Sequence, residues 1–176
     1  MKLVKWLLLT STAALLTVAA FIYAGIYPMG ADVPHNRITY WLLETVRERS
    51  IARAAADIQT PDLNDAELLL SGGPDYNDMC AQCHLKPGRT QSDMSIGLYP
   101  SPPNLTLPED EQANSARRQF WIIKHGIKAS GMPAWGPTHD DHRIWAMVAF
   151  IQKLPSLTPV QYQILTTRGE DESTHH

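Results

Sequence analysis

An all-α fold is predicted by three features of the 176-residue sequence. Apolar residues recur at helical spacing in several windows, cap-forming residues stand just ahead of some of them, and an uncharged run near the start is long enough for a helix by itself. That run comes first. Lys2 and Lys5 precede an uncharged segment from Trp6 to Tyr27, against about 20 residues needed to cross a hydrocarbon core. A secretory signal peptide has an apolar region of about 7 to 15 residues and a small-residue cleavage site, for which Val18-Ala19-Ala20 and Met29-Gly30-Ala31 are weak matches. Residues 1–30 therefore read as an uncleaved signal anchor, with the lysines kept inside and the remainder exported.

Residues 31–60 read as a linking amphipathic helix. Ile38, Trp41, Leu42, Val46 and several alanines from Ala52 onward form its apolar stripe, while Arg37, Glu44, Arg47, Glu48 and Arg53 carry charge on the rest. Two readings stay open for it: a stalk packed on its own domain, or a surface for a membrane or membrane partner, with Arg47, Arg49 and Arg53 towards headgroups. Thr60-Pro61-Asp62 breaks the pattern, and the domain from 61 to 167 begins with a helix near Asp65. Gly72-Gly73-Pro74 is expected to interrupt that helix, which resumes towards Met79. Asn114 to His125 reads as the next helix. Thr138-His139-Asp140-Asp141 resembles a capping box ahead of another, and Thr158-Pro159 opens a short helix through Leu165. The polar tail 168–176 reads as disordered.

Chemistry enters at Cys80-Ala81-Gln82-Cys83-His84, which contains the only two cysteines. Two thiols separated by two residues and followed at once by histidine suit covalent attachment of haem, the thiols as thioethers and the imidazole under the iron. A thioredoxin-like pair should sit in a βαβ pattern, and the flanks here are Gly, Pro, Asn and Asp. A zinc site needs a second ligand pair, for which His139 and His142 are the loose candidates.

A neutral thioether as second axial ligand favours ferrous iron and suits an electron carrier. Of six methionines, Met132 lies in a Gly/Pro-rich loop after a helical stretch, and Met94 competes from another polar loop. His125 is the only nearby candidate for a distal acid/base group or an alternative ligand. The net charge is −3 without a Lys/Arg block, which argues against nucleic acid as a partner. No paired carboxylates, nucleophile constellation or phosphate loop suggests other catalysis.

From Gly72 to Leu154 the chain resembles the class I cytochrome c family, in its small monohaem bacterial form. The resemblance rests on Gly72 and Tyr76, the Cys80–His84 motif, Gly131-Met132-Pro133-Ala134-Trp135, and the helix Ile144–Ile151, in that order. Pro74, between the expected glycine and aromatic, departs from the pattern. The resemblance implies the helical class I fold and one covalently attached haem c bound by Cys80, Cys83, His84 and Met132, with His84 and Met132 on the iron. It also implies a proline carbonyl, from Pro102 or Pro103, accepting from the imidazole. Tyr99, Asn104 and Trp135 are candidates for the haem propionates, and Lys86, Lys124, Lys128, Arg117 and Arg118 for a cationic rim. The expected function is a membrane-anchored electron-transfer protein rather than an enzyme. It would be single-pass in a bacterial inner membrane and serve respiratory complexes from the periplasmic side. The alternatives are a fixed haem c subunit of an oxidase or dehydrogenase, and an open-site peroxidase or gas sensor.

Overall fold

The computed structural model describes residues 1–108 and 115–167. The expected tail 168–176 and the Asn114 start of the helix expected to run to His125 lie outside the described residues. Every regular element among the described residues is helical, and no strand occurs among them. The chain divides into two compact units, Met1–Val33 and the part from Pro34 onward.

The first unit is α1, Lys2–Tyr23, the one helix among the described residues long and apolar enough to cross a membrane. None of its residues is buried by protein. Such a surface is stable where lipid, rather than water, surrounds it.

The second unit starts with α2, Arg37–Ala54. Asn36 caps it by accepting from the amides of Ile38 and Thr39 at 3.1 and 3.0 Å. The face it packs inwards matches the expected one only at its end: Ala55 of the expected stripe is buried together with Ile51, whereas Ile38, Trp41, Leu42 and Val46 stay more than half exposed. Two long-range bonds dock it, Arg117 donating to the Ala56 carbonyl at 3.0 Å and Arg118 to Glu48.

The core is the crossing of α3, Ala66–Met79, on α7, Asp141–Lys153. Tyr76, Ile144, Met147, Val148 and Phe150 are fully shielded there. Gly72 lets the two backbones meet, since a Cβ on it would lie 2.0 Å from the Ala146 carbonyl oxygen. The expected break at Gly72-Gly73-Pro74 does not occur, and α3 runs through Pro74. Proline leaves the carbonyl four residues back without its donor. Here that residue is Leu70, 57% exposed, so the position lies on the solvent side of the helix rather than in the core.

After α3 come two short helices, α4 (Ala81–His84) and α5 (Asp93–Gly97), then α6, Ala116–His125. α6 packs on α7, with Phe120 stacked on Trp145 at 4.2 Å between ring centres. The cap of α7 falls on Asp140, whose carboxylate accepts from the Arg143 amide at 2.8 Å. The expected cap, Thr138, instead donates to the Trp135 carbonyl. The last helix, α8 (Pro159–Thr166), opens at Thr158-Pro159 as expected, and Thr158 forms a capping box with Gln161. Its Tyr162 closes the core beside Tyr76 and Phe150.

Candidate haem site

The site begins at the joint between α3 and α4. Cys80 ends α3, and within the following turn the amides of Cys83 and His84 both donate to its carbonyl, at 3.1 and 2.8 Å. Residues three and four apart share one side of a helical turn. Both sulfurs and the imidazole therefore line one cavity. The cysteines are free thiols, and burial pushes the Cys80 thiol up to about 12. Thiol–disulfide exchange requires the opposite shift, and no strand for a βαβ unit occurs among the described residues. Nor do three His, Cys, Asp or Glu side chains meet as a metal cluster among the described residues.

Three hydrogen bonds hold the histidine turn. Leu85 leaves the helix with φ +70°, and the hydroxyl of the fully buried Tyr76 donates to the Leu85 carbonyl at 2.7 Å. The Leu105 amide donates to the His84 carbonyl at 3.2 Å. The ring itself is fixed by Nδ1 lying 2.9 Å from the Pro103 carbonyl oxygen. A carbonyl can only accept, so Nδ1 carries the proton and Nε2 keeps the lone pair that a metal takes. Burial depresses the imidazole pKa, with the Pro103 bond acting the other way.

Met132 reaches the same cavity from the loop after α6. Gly126 turns the chain with φ +64°, where a Cβ would stand 2.7 Å from the backbone of Pro133 and Ala134. The loop is docked on the end of α6: the amides of Trp135 and Gly136 donate to the Ile123 and Lys124 carbonyls, both at 3.0 Å. Those carbonyls lie in the last turn, where intrahelical donors run out. Met132 is then held through its own backbone, its amide donating to Ser130 Oγ at 3.1 Å and its carbonyl accepting from Ile127 at 3.1 Å.

The cavity has a volume of about 370 Å³ and walls dominated by Leu98, Leu105, Ile122, Ile123, Ile127 and Ile151. An apolar slot carrying two thiols and a metal-ready imidazole fits a haem, whose flat faces are apolar. Met94 lies outside the cavity and is 47% exposed. Met79 lines it one residue before Cys80. Of the three propionate candidates Trp135 reaches the cavity, whereas Tyr99 accepts from the His35 amide and Asn104 caps Thr106. His125 is exposed, packs against Trp121, and borders a separate hollow. Within the expected rim, Lys124 pairs with Asp141 at 2.6 Å, and Arg118 turns inwards to the cavity.

Residues 67–151 match the family described as cytochrome c oxidase, cbb3-type, subunit III. They are a class I c-type cytochrome domain. No curated protein and no solved structure matches the chain. The cytochrome domain implies haem c and haem-based electron transfer. The matched residues also take in nearly all of α3 and α7, whose crossing mounts the Cys80–His84 turn. The sequence reading missed the contribution of α2, which supplies Tyr40, Arg47, Glu48 and Ile51 to the cavity from outside the matched residues. The one signal in the sequence was the Tyr40, Glu44, Arg47, Ile51 row at helical spacing, weaker in apolarity than the stripe opposite it.

Proposed function

We propose that the chain is a membrane-anchored monohaem cytochrome c that carries single electrons between respiratory partners on the periplasmic side of a bacterial inner membrane. In this reading Cys80 and Cys83 form the thioethers, His84 and Met132 are the axial ligands, and residues 61–167 form the functional domain. The observation that carries it is the meeting of both thiols, the His84 ring and Met132 on one apolar cavity. Haem c supplies a one-electron iron couple when bound. The chain supplies the conditions: Pro103 fixes the imidazole, Ser130 and the α6 carbonyls fix the methionine loop, and apolar walls exclude water. Low polarity and a thioether ligand both favour the neutral-ligand, reduced state and raise the potential. The protein's partners are redox proteins and the membrane, through α1, and not nucleic acid.

A second reading is favoured by the matched family, which is a subunit of an oxidase. The chain would then be a haem c subunit held in a larger complex. Extraction from native membranes separates the two: a free carrier leaves as a single red chain, a subunit co-purifies with its complex. For the ligand assignment, Met132→Ala is expected to lower the potential or give high-spin haem. An unchanged spectrum and potential would refute it. A denatured chain still carrying the mass of one haem, and losing it in Cys80→Ala/Cys83→Ala, is the expected result for covalent attachment.

A further inference from the structure

We infer that the haem propionates are received at Arg47 of α2 and Arg118 of α6, so that α2, outside the cytochrome domain, is a built part of the cofactor site. This inference rests on the haem reading above. A haem brings two carboxylates into an otherwise apolar slot, and an ionised carboxylate is costly to bury without a cationic or hydrogen-bonding partner. Among the described residues lining this cavity, Arg47 and Arg118 are the only lysines or arginines. They are also adjacent, because Glu48 accepts from both: Arg47 Nε donates to Oε1 at 3.0 Å and Arg118 Nη2 to Oε2. The cavity thus has one cationic corner.

The two guanidiniums keep donors for a ligand. Arg47 uses Nε on Glu48 and Nη2 on Glu44, at 3.0 and 3.3 Å. Arg118 uses Nη2 on Glu48. Among the described residues Nη1 of Arg47, and Nε and Nη1 of Arg118, have no protein acceptor. Arginine presents five N–H groups in a fork that matches a carboxylate, so a fork anchored on one side by Glu48 is oriented for a second acid on the other. Both side chains are largely shielded, 28% and 17% exposed, which strengthens the pairing relative to a surface site.

The anchoring of α2 is consistent with a fixed wall rather than a passing contact. Arg117 holds the Ala56 carbonyl, Ile51 is buried, and Arg118 binds Glu48. Glu48 has a defined part in this arrangement: its charge offsets one arginine and limits how strongly the pair favours the oxidised or reduced iron. Neutralising an arginine beside the propionates lowers the potential, and neutralising Glu48 raises it.

Charge alone shifts a potential, so the deciding readout is the propionates themselves. Resonance Raman spectra of the haem-loaded full chain report propionate bending bands, which move with hydrogen bonding. Arg118→Gln and Arg47→Gln are expected to shift those bands and lower the potential, with the methionine–iron band retained. Lys86→Gln, which removes a cation that does not line the cavity, is expected to leave the propionate bands in place. Glu48→Gln, which releases both forks, is expected to shift them in the opposite direction and raise the potential, and Arg118→Lys to restore part of the shift. Propionate bands unchanged in both arginine variants would overturn the inference while leaving the cytochrome reading intact. A wild-type chain that takes up no haem would remove both.

Discussion

The two ends of the cavity are built in different ways. On the Cys80–Leu85 side, both thiols and the imidazole come from one helical turn, and the turn is mounted on the Gly72–Ala146 crossing at the centre of the core. On the Gly126–Gly136 side, a loop without helix is laid back on α6, and Met132 is placed by amide bonds from Ile127, Trp135 and Gly136. The first arrangement is local in sequence and anchored globally; the second is a loop whose geometry depends on a few backbone contacts. Attachment of a cofactor therefore depends chiefly on the first, and closure of the sixth coordination position chiefly on the second.

That contrast predicts a graded series of failures. Gly72→Val forces a side chain against the Ala146 carbonyl, so it should cost about 3 kcal/mol or more and reduce both stability and haem uptake. A thermal midpoint equal to wild type would show that the crossing is not the mount. Gly126→Val acts on the other end, where φ +64° and the 2.7 Å approaches both oppose a side chain. Strain of about 1–3 kcal/mol should open the loop, with covalent haem retained and the sulfur–iron band lost. If attachment failed as well, the two ends would not be separable.

Smaller effects sharpen the same division. Tyr76→Phe leaves the Leu85 carbonyl, itself in a buried residue, without its 2.7 Å donor. The expected loss is about 1–3 kcal/mol in denaturant unfolding, with closure of the sixth position unchanged. Ser130→Ala removes the acceptor for the Met132 amide and should cost about 1 kcal/mol or less. Its signature is a carbon monoxide-induced change in the ferrous spectrum, absent in wild type, at unaltered global stability; a spectrum as inert to the gas as wild type would mean that Ser130 does not hold the loop.

Locality also explains what could be read from the sequence. Cys80, Cys83 and His84 lie within one turn, so their spacing alone implies a shared face, and the structure places them on one cavity. Pro103 was one of two candidates because a proline-rich loop has few alternatives; which one accepts depends on how that loop folds over the ring. Pro74 misled because a proline's cost depends on the exposure of a carbonyl one turn back, at Leu70. Thr138 misled because its hydroxyl is taken by the Trp135 carbonyl, which belongs to the turn that docks the methionine loop. The face of α2 was read from its stronger apolar stripe. Its inward face is instead chosen by tertiary partners, Arg118 and the cavity, that no local period encodes.

The most direct test of the account is the visible spectrum of the haem-loaded full chain, ferric and then ferrous, before and after carbon monoxide. The account predicts the weak red charge-transfer band of a sulfur–iron bond in the ferric protein, lost in Met132→Ala, and a ferrous spectrum that the gas leaves unchanged. Absence of that band with ready carbon monoxide binding would contradict it and place an open haem in the cavity.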